Sequence, residues 1–325
     1  MRALVTGGTG FVGSAVVREL LAEGYQVVCL VRPGSDLRNL AGLQVILAQG
    51  DLEEADSVRK ALRGCQELYH VAAYYSTRPE DAERMWAVNA LGSLHVLSAA
   101  AEAGLSRIVH TSTIGTIGRP ADGRLPTEED VFTDWERASP YVRSKLEGER
   151  LALELARQGA PIVVVNPCAP VGPRDIKPSS TGARIVAYLQ GRRPSFLPGG
   201  INFVAVEDVA RGHLLAARHG RVGERYILGN AEGNLDLAGF YALMERVSGV
   251  RAPEAGQEGG LGRVRAALRR LVLGGPRADA KGMGYRPEAL TANPSKAIRE
   301  LGLPQTPLEV AFRRAVEWFR EQGYV

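Results

Sequence analysis

The chain is poor in the residues that staple or metallate a small fold. Its three cysteines, Cys29, Cys65 and Cys168, are odd in number and far apart, which supports neither a disulfide framework nor a zinc cluster. The five histidines show no metal-ligand spacing. No apolar run approaches the roughly 18–20 residues that would span a bilayer, so no transmembrane segment is expected. The N-terminus lacks the basic region, apolar stretch and small-residue cleavage site of a secretory signal, which points to a cytoplasmic protein. Charge of one sign is scarce too: 40 Lys+Arg against 36 Asp+Glu leave +4. That excess is too small and too dispersed for a nucleic-acid footprint, so no nucleic acid is expected as a partner. Internal repeats and low-complexity tracts are absent, and the one linker-like stretch is 251–260.

What is present is concentrated at the start. Residues 2–6 are short, largely aliphatic and stopped by glycine, as an inner parallel strand should be. Gly7, Gly10 and Gly13 follow at three-residue spacing, with Thr9 between them, and helical apolar periodicity begins at Phe11 and Val12. Glycines suit such a corner for a tight turn, for backbone approach to a phosphate and for close helix–strand packing. The helix N-terminus behind them offers unpaired N–H donors and partial positive charge to a pyrophosphate. Three glycines alone would also suit an ordinary turn; the strand before and the helix after favour nucleotide binding.

Strand and helix signals then alternate: strands over 26–31, 44–47, 67–71, 107–111 and 161–165, with helices over 57–63, 81–103 and 140–158. Alternation of this kind predicts right-handed βαβ crossovers and an α/β fold, a doubly wound parallel sheet with helices on both faces. Beyond Asn166 proline and glycine become frequent and the pattern loosens. A strand at 202–206 and a helix at 207–218 are expected to return to the main domain. The segments 225–228, 235–248, 261–273 and 306–322 are expected to build a smaller C-terminal lobe. The expected division is a dinucleotide-binding domain of 1–173 plus 202–220, and a substrate-binding lobe of 174–201 plus 224–325.

Two further elements carry chemistry. Ser139 and Pro140 make a good helix start, as N-cap and first helical residue. Tyr141 and Lys145, four apart, therefore share a face. A phenol near pKa ~10 must fall by about three units, roughly 4 kcal/mol, to act near neutrality. One ammonium about 4 Å away supplies that much at an effective dielectric of 20, so Lys145 is expected to lower the Tyr141 pKa. Alone, the pair would equally suit a packed tyrosine and a snorkelling lysine. The second element is the strand end 110–113, where Thr111, Ser112 and Thr113 would present hydroxyls to a carbonyl at the carboxyl ends of the strands. A Ser/Thr turn closing a strand would look the same.

With these residues together, the chain resembles the extended short-chain dehydrogenase/reductase family of the NAD-dependent epimerase/dehydratase type. Within it the chain is most similar to dihydroflavonol reductase-like proteins and hopanoid-associated sugar epimerases, through segments 166–175, 296–302 and 315–319 as well. The resemblance implies a Rossmann-type fold and Thr113, Tyr141 and Lys145 as the catalytic set. It further implies that Asp51 and Leu52 contact adenine, that Ala72, Ala73 and Tyr74 line the cofactor groove, that Asn89 supports the site, and that Pro167 lies by the nicotinamide. It also suggests a homodimer through the helices 81–103 and 140–158. Sugar dehydratases of the family place Asp-Glu after the threonine; Ile114 and Gly115 stand here, which argues against dehydration.

The cofactor is argued from charge. An NAD site needs a carboxylate after the second strand for the ribose hydroxyls. Here Arg32 follows that strand, with Arg38 nearby, and a guanidinium there can pair with a 2′-phosphate. NADP is expected, and Asp36 leaves NAD open. Tyr75, Arg78, Trp86, Arg174, Lys177, Phe196 and Phe203 are candidates for a small-molecule substrate pocket, or for packing. The stripe within 261–273, flanked by arginines, reads as a lobe helix or a membrane-surface helix. The expected activity is NADP-dependent reduction of a carbonyl by hydride transfer, with a sugar epimerase or a non-catalytic NADP sensor as alternatives.

Overall fold

The computed structural model of the chain describes residues 1–135, 138–253 and 289–325. Its centre is a seven-stranded sheet in which every neighbouring pair is parallel. In chain order the strands are β1 (Arg2–Thr6), β2 (Gln26–Val31), β3 (Val45–Gln49), β4 (Glu67–His70), β5 (Arg107–Thr111), β6 (Ile162–Pro167) and, later, β9 (Arg225–Leu228). They lie in the order β3-β2-β1-β4-β5-β6-β9. The chain leaves β1 toward β2 and returns past it to β4, so the topological switch falls between β1 and β4, where a crevice opens at the carboxyl ends of the strands. This is the doubly wound Rossmann architecture expected from the alternation.

The inner strands are buried on both faces, which is why they read as aliphatic runs and not as alternating patterns. One face is covered by α1 (Phe11–Ala22) and the later α7 (Val206–His219), which pack on each other and share a core with Val5, Val109 and Val163. The other is covered by α2 (Ala55–Leu62), α4 (Ser93–Glu102) and α5 (Pro140–Arg157), with Leu4, Val28, Ile108 and Val164 in the second core. The helix expected over 81–103 is one continuous rod with a defect: α3 (Ala82–Trp86) passes through a π-helical turn at Ala87–Gly92 before α4. That turn carries Asn89.

The later strands depart from expectation. The strand expected to return to the main domain, β8 (Ile201–Ala205), pairs with β7 (Ala169–Val171) and with β10 (Asn234–Leu235) in a separate three-stranded sheet. The segment 225–228, expected in the lobe, is β9 and closes the main sheet beside β6. The β6–β9 ladder runs through Pro167 to Cys168, whose N–H donates to Leu228 O at 3.0 Å, before β7 begins. Arg225 at the start of β9 reaches across to a buried Glu149 on α5 at 3.1 Å, tying that strand to the main domain. The smaller sheet packs with α6 (Ser180–Leu189), α8 (Leu237–Ser248) and α10 (Leu308–Glu321) around Phe203, Phe240 and Phe312. Another helix, α9 (Ser295–Leu301), lies against β9 and α7. The helix expected over 261–273 lies outside the described residues. No described helix is long and apolar enough to cross a membrane.

Candidate active site

The glycine turn has the shape its spacing predicts. Gly7 sits at φ +72°, and a Cβ there would lie 2.7 Å from the Ala72 backbone N and Cα. A Cβ on Gly13 would lie 2.0 Å from the Gly7 carbonyl oxygen, so only glycine lets α1 start this close to β1. Gly10 donates its N–H to Gly7 O at 2.9 Å and then N-caps α1 with no side-chain cap and no acid in the first turn. The first-turn N–H groups, from Phe11 to Gly13, therefore remain available to an anion. This cradle fits a dinucleotide pyrophosphate. Thr9 is partly buried, and its carbonyl accepts from the Asn39 Nδ2 at 3.1 Å.

The groove wall follows β4. Ala72, Ala73 and Tyr74 form an extended segment; Ala72 N donates to the Thr6 hydroxyl at 3.2 Å, and Asn89 grips Tyr74 at both ends of its backbone. Asn89 is fully buried and also donates to Ser144 Oγ at 3.0 Å, tying the wall to α5. Close packing makes this contact: a Cβ on Gly148 would meet Asn89 O at 2.5 Å. Beneath the wall, Ser93 donates to Asn89 O, so His70 Nε2–H donates to Ser93 while Nδ1 accepts from Thr6. Burial, with a contribution from the Lys145 charge, pushes His70 down to about 3 and keeps it neutral. Asp51 and Leu52 stand at the end of β3; Asp51 is held by Ser57, and Leu52 is buried against Gly92.

Ser139 accepts from Val142 N at 3.3 Å and Pro140 opens α5, which points Tyr141 and Lys145 at the end of β5. Tyr141 lies close enough to Thr113 for the threonine hydroxyl to favour the phenolate, and the Tyr75 ring meets it edge-on at 4.9 Å. Lys145 is almost wholly buried, and its Nζ donates to Thr111 O at 2.7 Å. The electrostatics correct one expectation. Burial raises the Tyr141 pKa, with the Tyr75 charge adding and the Thr113 bond opposing, so the phenol stays protonated near neutrality. The ammonium does not lower it, because Lys145 is itself desolvated and turned to a carbonyl; burial pushes Lys145 down to about 8, against the pull of Glu149.

Of the three hydroxyls at the strand end, only that of Thr113 acts on the phenol. The Thr111 hydroxyl donates to His213 Nε2, whose Nδ1–H donates to Val209 O, on the α7 side of the sheet. Ser112 is buried and bonded to Thr116 at 3.2 Å. Thr113 is held from below: Asn166 Nδ2 donates to its carbonyl at 3.2 Å and to Glu149 Oε2 at 2.8 Å, while the Thr116 hydroxyl lies 2.7 Å from both acceptors and can give its one proton to either. Sequence reasoning missed Glu149, although the spacing that selected Tyr141 and Lys145 continues to it. Pro167, the last residue of β6, is buried beside this network.

Arg32 is exposed at the tip of β2; its carbonyl accepts from Ser35 N at 3.1 Å, and its guanidinium makes no hydrogen bond or ion pair with any described residue. Asp36, the acid that could have served a ribose, is engaged by Arg38 through contacts of 2.7–3.1 Å. Among the weaker pocket candidates, Phe203 and Phe196 belong to the aromatic core of the small lobe. Arg78 pairs with Asp81, and Trp86 is partly exposed. Tyr75 reaches Ser180 Oγ at 2.9 Å, bridging the groove wall to α6 above Tyr141.

Comparison with known proteins agrees with this geometry. The profile of the NAD dependent epimerase/dehydratase family matches residues 3–229. A dihydroflavonol 4-reductase-like protein of Synechocystis sp. is 40% identical over 329 residues, covering 99% of this chain and 95% of the relative. The sterol demethylase protein B of Methylococcus capsulatus is 34% identical over 331 residues, covering 100% of both chains. The crystal structure of gox2253 superposes with a TM-score of 0.86 at 36% identity, covering 99% of both chains. The chain belongs to the NAD-dependent epimerase/dehydratase family of extended short-chain dehydrogenase/reductases, and is an NAD(P)-dependent enzyme of that kind.

Proposed function

We propose that the enzyme reduces the carbonyl of a small molecule to an alcohol with NADPH. The observation that carries this reading is the placing of Tyr141 and Lys145 on one face of α5 at the carboxyl end of β5, with the Lys145 Nζ on Thr111 O and burial holding the phenol in its protonated form. The bound dinucleotide would supply hydride to the carbonyl carbon. Thr113 then holds the carbonyl oxygen and Tyr141 gives it a proton, so one C–H and one O–H bond form. A phenol kept neutral by burial suits that acid role. Lys145 holds the nicotinamide ribose and places a positive charge near the developing phenolate. Gly7, Gly10 and Gly13 with the α1 N-terminus take the pyrophosphate, Asp51 and Leu52 the adenine, and Ala72, Ala73, Tyr74 and Pro167 the nicotinamide side.

The free Arg32 and the engaged Asp36 favour the 2′-phosphate of NADP over a bare ribose. A sugar epimerase with retained nucleotide is the second reading, and the family's range of activities supports it. We further infer a cytosolic homodimer. Trp86 and Leu91 are exposed on the rod that runs into α4, an apolar patch suited to a second copy, and the three thiols are all free. The test is NADPH oxidation with a panel of ketones and aldehydes, together with the nucleotide content of the purified protein. Net stoichiometric oxidation and freely exchanging nucleotide support the reductase. Retained nucleotide with no net oxidation refutes it.

A further inference from the structure

One guanidinium near the proposed acid is fixed by two main-chain oxygens. Arg184 lies partly buried on α6. Its Nη1 donates to Ser180 O, one turn back, at 2.9 Å, and its Nε donates to Ser195 O at 2.8 Å. Two segments of the small lobe thus set the plane of the fork. Exposed arginines elsewhere pair with acids, as Arg78 does with Asp81 and Arg313 with Glu309. Arg184 is less exposed than these, and no Asp or Glu among the described residues pairs with it. Burial accordingly lowers its pKa, against a smaller pull from Tyr75. A guanidinium has five N–H donors. Two are engaged here, and the three that remain are all on Nη1 and Nη2, the end that meets a carboxylate with two parallel bonds. A cation taken out of water without an opposite charge is costly, and a bound anion offsets that cost.

The surroundings tie this group to the reacting end of the crevice. Tyr75 Oη lies 2.9 Å from Ser180 Oγ, and Ser180 is the residue whose carbonyl holds Arg184. The same tyrosine ring meets Tyr141 edge-on, with 4.9 Å between centroids. One aromatic side chain therefore spans from the phenol to the helix turn that carries the guanidinium. Tyr75 is 53% exposed despite both contacts, which leaves much of the ring open to a molecule lying along it. The base under Arg184 is firm. Ser179 caps α6 by accepting from Gly182 N at 3.2 Å, and the buried Asp175 accepts from Ser179 N at 2.9 Å and Ser179 Oγ at 2.7 Å. A Cβ on Gly182 would lie 2.1 Å from Asp175 Oδ2, so only glycine lets the helix sit this close to that carboxylate. Asp175 anchors α6 and does not pair with Arg184. Donors held in place before a ligand arrives bind it with less ordering cost.

We propose that Arg184 binds a carboxylate of the substrate, so that the compound reduced beside Tyr141 is a carbonyl-bearing acid. Its carbonyl would lie at Thr113 and Tyr141, its body along Tyr75 and its carboxylate at Arg184. The inference rests on the carbonyl-reductase reading above and names the substrate class for that site. The test uses para-formylbenzoate and para-formylphenylpropanoate, each compared with its methyl ester. Calorimetric Kd values and NADPH-dependent turnover are measured for the wild-type protein, Arg184→Gln and Arg184→Lys. The wild type should bind at least one acid about tenfold more tightly than its ester. Arg184→Gln should abolish that preference while leaving ester binding and the NADPH Kd unchanged, the sign of an intact pocket, and Arg184→Lys should restore part of it. Equal binding of acid and ester by the wild type overturns the proposal, as does a preference that survives Arg184→Gln. Weakened ester binding in both variants overturns it too, since a merely structural role would give that result. Stronger competition by phenyl phosphate than by benzoate overturns the carboxylate assignment in favour of a phosphate ester. An Arg184-dependent preference without NADPH oxidation supports the anion site and refutes the reductase reading.

Discussion

The three glycines of the opening turn are not equivalent, and the difference can be measured. A Cβ on Gly13 would lie 2.0 Å from Gly7 O, 2.6 Å from Gly7 C and 3.1 Å from Gly8 N. These are backbone atoms, and ordinary contact is about 3.5 Å, so the turn and α1 must separate by more than about 1 Å. Overpacking of this kind costs about 1–3 kcal/mol, which in a chain of this size is a Tm loss of roughly 2–6 °C. It also displaces the amides that would receive the pyrophosphate. A Cβ on Gly10 meets only Gly7 O, at 3.3 Å, so Gly10→Ala should leave Tm within about 1 °C. Its Cβ would instead intrude where the backbone must approach the phosphates. Gly13→Ala should therefore lose both stability and nucleotide affinity, and Gly10→Ala affinity alone, each by about tenfold or more. Thermal melts and NADPH titration of both variants decide the matter. Equal Tm losses, or unimpaired binding by Gly13→Ala, would refute the reasoning.

Three further expectations follow from the site. Lys145, pushed down to about 8, is charged below that pH and loses its charge as pH rises through it, so kcat/KM should fall along a limb near pH 8. Lys145→Arg, which stays charged, should lack that limb in a pH profile even if its rate is lower. Replacing Arg32 with Ser should raise the NADPH Kd about tenfold with little change for NADH, as a nucleotide titration would show. Gly148→Ala must displace Asn89 O, 2.5 Å from the added Cβ, and should lower Tm by about 2–6 °C and kcat as the groove wall shifts.

How much of this was legible depended on sequence distance. The glycine turn and the Tyr141–Lys145 pair lie within single elements, so local spacing exposed them. The alternation up to Val165 likewise revealed the sheet, because each crossover repeats one local pattern. Past Pro167 the information became non-local. Four residues at 225–228 cannot announce which sheet they join; the partner that decides it, Glu149, is 76 residues away. The hydrogen bond from Asn39 Nδ2 to Arg174 O spans 135 residues and has no local signature. The lysine's effect on the phenol is likewise not legible locally: the spacing shows a shared helix face but not the Thr111 carbonyl that takes the ammonium.

The central claim is that the Tyr141 phenol delivers the proton that completes carbonyl reduction. Steady-state turnover and NADPH affinity of Tyr141→Phe, measured side by side, test it most directly. Removing one oxygen from a half-buried ring should lower kcat by at least about a hundredfold while leaving the NADPH Kd within about twofold. Turnover close to that of the wild type would contradict the account.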